Sequence, residues 1–493
     1  MKCAGLIMEA GIFSRTIMQR RTKIVATLGP SSTDEQTLEK MVAAGMDVVR
    51  MNFSHGTARD HIERAERVRK IADKQGRSIG IMADLQGPKI RIGKFEQGKV
   101  SLERGDDFIL DAECELGNQS QVGLDYKDLP RDVISGDVLL LDDGRIVLDV
   151  LSIDGLKIHC RVKHGGVLSN NKGINRLGGG LSAPALTSKD MEDIVTAATL
   201  KADYLAVSFP RTGDDIRLAR DLLRKAGGHG LLIAKIERAE AIPALEEILE
   251  ASDGIMVARG DLGVEVGDAA VPALQKRMIK LAREKNKLTI TATQMMESMI
   301  ENPIPTRAEV SDVANAVIDG TDGVMLSAET AAGKYPVETI EAMGRICIEA
   351  EKPVEASLER WFLNREFTRI DQSIAMATIF TAFHLKVKAI ASLTESGSTP
   401  LWMSRINSGV PIYALTNIEE TRRKMTLYRG VYPVLGEFTG YDRDKLLEKV
   451  EDVLLENKVI EIGDIIALTI GEPIGQPGGT NTMKIVKVGD NRK

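Results

Sequence analysis

Six short apolar runs of this chain end in side chains that can do charge chemistry. The first ends in Arg50, Asn52, Ser54 and His55, and the second in Asp84, with Lys89 and Arg91 just beyond. The others end in Lys235 with Glu237, in Arg259-Gly260-Asp261, in Thr293-Gln294, and in Ser327 with Glu329. Each residue has a plain structural explanation on its own. Lys235 and Glu237 make a salt bridge at a strand end, Asp261 or Thr293 caps a helix, Arg50 pairs with a surface acid, and His55 is a satisfied loop histidine. Together they call for chemistry. Glu237 and Asp261 bring two carboxylates to one mouth with Lys235 and Arg50, and buried charges need partners or a metal. Paired carboxylates facing an anionic substrate make good Mg²⁺ ligands, because the ion offsets both sides.

The elements needed to gather these ends are readable. Eight β-branched runs, at 23–27, 47–51, 79–83, 203–207, 231–235, 254–258, 288–292 and 323–327, read as buried parallel strands. Amphipathic stretches such as 33–44 and 189–200 separate them, the second opened by a capping box of Thr187 and Asp190. Most starts fall 23 to 35 residues apart, the length of a βα unit, so the expected core is an α/β fold, a (β/α)8 barrel. From Ile79 to Asp203 the gap is 124 residues. That stretch alternates as strands do and carries Asp-Gly turns at 143–144 and 154–155, which predicts an inserted small β-barrel placed as a lid. Beyond 351, five further strand candidates alternating with helices predict a C-terminal α/β domain with a mostly parallel sheet. The expected division is 1–20 as a disordered extension, 21–87 with 185–350 as the barrel, 88–184 as the lid and 351–493 as the third part. No internal repeat stands out.

Composition narrows the function. The 493 residues carry 65 basic and 71 acidic side chains, a net charge of −6, and only 4% aromatics. A nucleic-acid surface usually needs a basic surplus and stacking platforms, so that class is excluded as an expectation. Cys3, Cys114, Cys160 and Cys347 lie far apart, without zinc spacing, which fits a reducing intracellular compartment. No apolar run reaches 18 residues, so no membrane span is expected.

The longer motifs resemble pyruvate kinases. They are KIE (235–237), MVARGDLG (256–263), TATQMMESM (291–299), RTKIVATLGP (21–30), VRMNFSHG (49–56) and PTRAEV (305–310). The resemblance runs from about Arg21 to Val488. It implies a cytoplasmic homotetramer that moves a phosphoryl group from phosphoenolpyruvate to ADP, giving pyruvate and ATP, with Mg²⁺ required and Mn²⁺ substituting. Carried over, Glu237 and Asp261 bind Mg²⁺. Gly260, Asp261 and Thr293 receive the substrate carboxylate, Lys235 stabilises the transferring group, and Arg50 grips the phosphate. Arg91 and Lys172 from the lid, with Asn52 and His55, hold the nucleotide. Thr293, Ser327 and Glu329 form the proton relay to the enolate.

Two further expectations follow from it. The family's monovalent-cation ligands Asn52, Ser54 and Asp84 are present, but where many members read DTKGPEIRT this chain reads DLQGPKIRI (84–92). Lys89 then supplies the charge, Leu85 and Ile92 replace hydroxyls, and K⁺ is not required. Thr394, Ser396, Gly397, Ser398 and Thr399 form a strand-to-helix turn suited to a phosphate, at the family's effector pocket. The second loop that a bisphosphate would use, 475–481, has no Lys or Arg. The expected effector is therefore a sugar monophosphate or a nucleoside monophosphate. Two rivals stand beside this reading. A barrel lyase has no nucleotide for Arg91 and Lys172 to clamp, and a non-catalytic metabolite sensor has no need of Lys235 or Asp261.

Overall fold

The computed structural model describes residues 20–352, 366–438, 440–473 and 479–490. Eight parallel strands close into a barrel: β1 (Lys23–Thr27), β2 (Val48–Asn52), β3 (Gly80–Asp84), β4 (Tyr204–Val207), β5 (Leu231–Ile236), β6 (Gly254–Ala258), β7 (Leu288–Ala292) and β8 (Gly323–Leu326). β1 completes the ring by pairing with β8, Lys23 opposite Gly323, and with β2, Val25 opposite Val48. Every expected barrel strand is present within a residue at either end. Alternation is visible inside β1: Ile24 and Ala26 join the layer under the helices, while Val25 faces the barrel interior. Both faces are covered, which is why these strands read as continuous apolar runs.

Local chemistry sets the helix limits. α1 (Glu35–Ala44) starts two residues later than the sequence pattern suggests, because Asp34 is its cap and accepts the Thr37 N–H. α2 (Ser188–Thr199) has the expected capping box, with Thr187 and Asp190 each bonding the other's backbone. α3 (Arg259–Val266) begins at the very end of β6, so Gly260 and Asp261 sit in its first turn.

The insertion after β3 is β apart from one short helix, Leu129–Asp132. A six-stranded sheet and two two-stranded pieces wrap one apolar core that includes Phe108, Leu139 and Leu148. Both expected Asp-Gly hairpins form, joining Val138–Leu141 to Ile146–Asp154 and then to Lys157–His164. The run 99–110 is two strands, split where Gly105 takes φ +97°.

The C-terminal sheet holds β9 (Ala389–Leu393), β10 (Ile412–Thr416), β11 (Val431–Leu435), β12 (Ile465–Gly471) and β13 (Thr480–Lys487), in the order β11-β10-β9-β12-β13. Only the β12–β13 pairing is antiparallel. Its helices include α4 (Ile370–Leu385), α5 (Ser398–Ser404) and α6 (Glu419–Lys424). Met425 and Leu427 from this region pack into the same core as the barrel interior, plugging its amino-terminal end.

A one-residue device recurs at that end. Asp47, Asp203, Asp253 and Asp322 each stand just before a strand and accept the backbone N–H of a neighbouring strand, from Ile24, Ile81, Leu232 and Thr289, at 2.8–2.9 Å. Each also meets an arginine: Arg20, Arg423, Arg220 and Arg405 respectively. Arg405 and Arg423 come from the C-terminal region, so that region is tied to the strands whose far ends carry the polar cluster.

Candidate active site

The carboxyl ends of the barrel strands bring charged groups into direct contact. Arg50 at the end of β2 donates from Nε to Asp84 Oδ2 at 2.5 Å and from Nη1 to Thr27 Oγ1 at 3.1 Å. Lys235 Nζ lies 3.3 Å from Asp84 Oδ1 and 2.9 Å from Glu237 Oε1, and donates to Ser208 Oγ at 2.7 Å. The other Glu237 oxygen accepts the Phe209 N–H at 2.8 Å. Arg50, Asp84, Lys235 and Glu237 thus form one chain of alternating sign, with Asp84 in it where the sequence reading puts Asp261.

Burial and neighbours set the protonation of this chain. Burial pushes the Asp84 carboxyl up, but Arg50 and Lys235 outweigh it and hold it below its ordinary range. Burial pulls the Lys235 ammonium down, yet Asp84 and Glu237 hold it above its usual value. Burial pushes Glu237 up to about 7; Lys235 pulls it down, and the negative charges of Asp261 and Asp84 push it further up. Asp261 raises the cost of ionising Glu237, and carboxylate oxygens so placed fit a small hard cation. Among the described residues no group of three or more His, Cys, Asp or Glu gathers for a metal.

Around this chain lie three smaller sets. At the start of α3, Gly260 donates its N–H to Thr293 Oγ1 at 2.9 Å, and that hydroxyl donates to Ala292 O at 2.6 Å. Thr293 and Gln294 both take left-handed φ, +68° and +54°, a strained pair at a strand end. Asp261 faces Lys89, with Oδ1 and Nζ 3.7 Å apart. Past β8, the buried Glu329 accepts the N–H groups of Met296 at 3.2 Å and Ser327 at 2.6 Å. Burial holds its carboxyl above the ordinary range against those hydrogen bonds.

Other expected residues are not joined to this cluster. Arg91 donates to Asn171 O at 3.0 Å, and Lys172 pairs with Asp142 at 2.7 Å, both inside the β insertion. Asn52 Oδ1 closes its own turn by accepting the Ser54 N–H at 3.1 Å, and His55 is exposed. Leu85 packs in the barrel-and-helix core and Ile92 in the core of the insertion. Both side chains are buried in apolar cores, where neither offers an oxygen.

In the C-terminal sheet, Gly397 takes φ +80° and donates its N–H to Thr394 Oγ1 at 2.9 Å. Ser396 and Ser398 hydroxyls are 3.0 Å apart, and Thr399 Oγ1 meets Thr480 Oγ1 at 2.8 Å. Of the second loop, 475–478 lie outside the described residues, as do 1–19 of the extension expected over 1–20; its last residue, Arg20, is not loose but buried against Asp47.

Two family models match, that of the pyruvate kinase barrel domain over residues 19–340 and that of the pyruvate kinase alpha/beta domain over 372–486. The chain belongs to the pyruvate kinase family. It is 55% identical to the pyruvate kinase of Haemophilus influenzae over 470 residues, covering 94% of this chain and 97% of that one. It is 53% identical to pyruvate kinase II of Salmonella typhimurium over 475 residues, covering 95% and 99%. A crystal structure of a pyruvate kinase from Cryptosporidium parvum matches with a TM-score of 0.90 at 32% identity, covering 96% and 97%. Membership makes the chain a phosphotransferase of glycolysis, in a family that works with phosphoenolpyruvate, ADP and Mg²⁺. No described helix is long and apolar enough to cross a membrane.

Two polar strand ends escape the motif reading. Thr27 ends β1, and Ser208 directly follows β4. The rule that picks out the other six ends, a polar residue where a barrel strand stops, selects both.

Proposed function

We propose that this chain transfers the phosphoryl group of phosphoenolpyruvate to ADP, with each charged residue of the barrel mouth in a separate role. The observation that carries the reading is the alternating chain Arg50–Asp84–Lys235–Glu237, buried at one mouth of a closed barrel. Phosphoryl transfer asks for positioning and charge neutralisation more than for a covalent partner.

Glu237 and Asp261 hold Mg²⁺, with Mn²⁺ as a substitute; bound there, the ion offsets the charge of the substrate's carboxylate and enolate oxygens. Arg50 grips the donor phosphate and Lys235 meets the transferring group. The bond from phosphorus to the enol oxygen breaks as one to an ADP phosphate oxygen forms. Gly260 and Asp261 offer backbone N–H groups to the substrate carboxylate with Thr293, whose present bond to Gly260 must open for it. Thr293, Ser327 and Glu329 bring the proton to the enolate carbon. Burial raises the Glu329 carboxyl above its ordinary range, which favours its protonated form relative to a free glutamate.

Arg91 and Lys172 on the insertion, with Asn52 and His55 at the mouth, hold the nucleotide phosphates when residues 88–184 close as a lid over the barrel of 21–87 and 185–350. Lys89 stands in for a monovalent cation at Asn52, Ser54 and Asp84, so K⁺ is not needed; its 3.7 Å approach to Asp261 supports this, since it keeps the ammonium at the mouth. The region 351–493 binds a phosphorylated effector at Thr394, Ser396, Gly397, Ser398 and Thr399. A cytoplasmic homotetramer completes the reading.

The test is an assay of ADP-dependent pyruvate formation from phosphoenolpyruvate, with and without Mg²⁺. The expected result is product only when ADP and a divalent cation are both present. Pyruvate released without ADP, or none under any condition, overturns the reading.

A further inference from the structure

β4 delivers Ser208 and Phe209 to the barrel mouth, and Ser208 is 1% exposed. Lys235 Nζ donates to Ser208 Oγ at 2.7 Å, and Ser208 Oγ donates in turn to Leu85 O at 2.7 Å. The direction of both bonds is fixed. An ammonium has no lone pair to accept with, and a carbonyl has no proton to give. The hydroxyl therefore faces Lys235 only as an acceptor, anchored from behind.

The carboxylates around the ammonium have other engagements. Asp84 Oδ2 is held by Arg50, while Asp84 Oδ1 faces Lys235 as an ion pair without a hydrogen bond. Glu237 is shared with the Phe209 N–H and is the residue read as a metal ligand. Ser208 is neutral and competes for neither. Its anchor is also rigid. Leu85 is two residues before Gly87, where φ is +68° as the chain leaves the barrel for the insertion. A Cβ on Gly87 would stand 2.7 Å from Ser208 Cβ and 2.9 Å from the Phe209 ring, so backbone and serine are in close contact there.

We infer that Ser208 is a positioning residue for Lys235: its hydroxyl, anchored on the Leu85 carbonyl, fixes where the ammonium stands when the carboxylates turn to other partners. The inference rests on the reading of Lys235 as the group that meets the transferring phosphoryl.

Ser208→Ala and Ser208→Cys test it. Cysteine keeps nearly the same volume but offers sulfur, a weak acceptor. Each variant should lose about tenfold to a hundredfold in kcat, the effect of one hydrogen bond to a charged group, with KM for phosphoenolpyruvate changed by less than about threefold. Thermal midpoints show that both fold; if alanine does not, cysteine decides. A cysteine variant with turnover within about threefold of the parent, or a loss that falls on KM for phosphoenolpyruvate rather than on kcat, overturns the inference and leaves Ser208 as filler. Lys235→Met separates the two levels. If it keeps its turnover, the role given to Lys235 fails first. If it is inactive while Ser208→Cys is normal, only the role of Ser208 fails.

Discussion

Arg405 and Asp322 meet as a two-pronged ion pair at the foot of β8, each side chain 1% exposed. Arg405 Nη1 reaches Asp322 Oδ2 at 2.8 Å and Lys287 O at 2.7 Å. The same carboxylate accepts the N–H groups of Thr289 at 2.9 Å and Arg429 at 3.1 Å. A residue of the C-terminal region is thereby fixed to the strand that ends at Ser327 and Glu329. Removing one partner of a buried pair leaves an uncompensated charge, at a cost of about 3–5 kcal/mol. Asp322→Ala should lose stability of that order in urea unfolding. A loss below about 1 kcal/mol would show that the pair is solvated in solution. The double variant Asp322→Leu with Arg405→Met, which removes both charges, should recover most of the loss.

That pair also marks where the sequence stops being legible. The eight strands announce themselves because each is buried on both faces and reads as a run of Val, Ile, Leu and Met. The polar strand ends follow once the barrel is assumed. The aspartates at 47, 203, 253 and 322 do not, because their meaning lies in an N–H on a different strand and an arginine as far as 220 residues away. The strand-end rule selects Ser208, but its partner is not legible for a related reason: only the fold sets Lys235 2.7 Å from it. Leu85 and Ile92 sit in one short motif, and what the sequence does not announce is that their side chains belong to two different hydrophobic cores.

The Glu237 carboxyl, pushed to about 7 first by burial, should couple metal binding to pH. A carboxylate must lose its proton to bind a cation. Below pH 7, apparent Mg²⁺ affinity should therefore fall by about tenfold per pH unit, and above about pH 7.5 it should be flat. Stability of the metal-free chain moves the other way. The folded value lies above the ordinary one of 4.5, so the folded state binds more protons than the unfolded state between the two. The contribution of Glu237 is fully present below about pH 4.5 and is lost as pH rises through 7. Calorimetric Mg²⁺ titrations from pH 5.5 to 8 read the first effect, and thermal midpoints without metal read the second. Affinity independent of pH across that range would remove Glu237 from the metal site.

The turn at Thr394–Thr399 should prefer a monophosphate. Its hydroxyls and the left-handed Gly397 form one small cradle, and Thr421 Oγ1 ties it to α6 by donating to Glu395 O at 2.6 Å. A bisphosphate needs a second cationic partner, and the 475–481 stretch supplies no Lys or Arg. Sugar monophosphates and nucleoside monophosphates should shift the phosphoenolpyruvate saturation curve to lower concentration. Ser398→Glu, which brings a negative charge to the cradle, should abolish the shift. A clear preference for fructose 1,6-bisphosphate over all monophosphates would refute the assignment.

Activity should not depend on K⁺. A monovalent cation in this place supplies one positive charge near the transferring phosphate and fixes the groups around it. In the DTKGPEIRT pattern the glutamate adds a negative charge that the ion must offset. Here that position carries Lys89, a compact ammonium whose Nζ stands 3.7 Å from Asp261 and which is only about a third exposed. Held at the mouth, it supplies a comparable field without an ion being bound first. A second cation about 4 Å from it would meet a repulsion of about 4 kcal/mol at an effective dielectric of 20. Turnover in buffer free of K⁺ and Na⁺, at constant ionic strength, should match turnover with added KCl within about twofold. A rise of about tenfold with K⁺ would mean that Asn52, Ser54 and Asp84 still bind the ion and that Lys89 does not replace it. Lys89→Glu carries the argument in reverse. It removes the field and places a negative charge beside Asp261, so K⁺-free turnover should fall and added K⁺ should restore part of it.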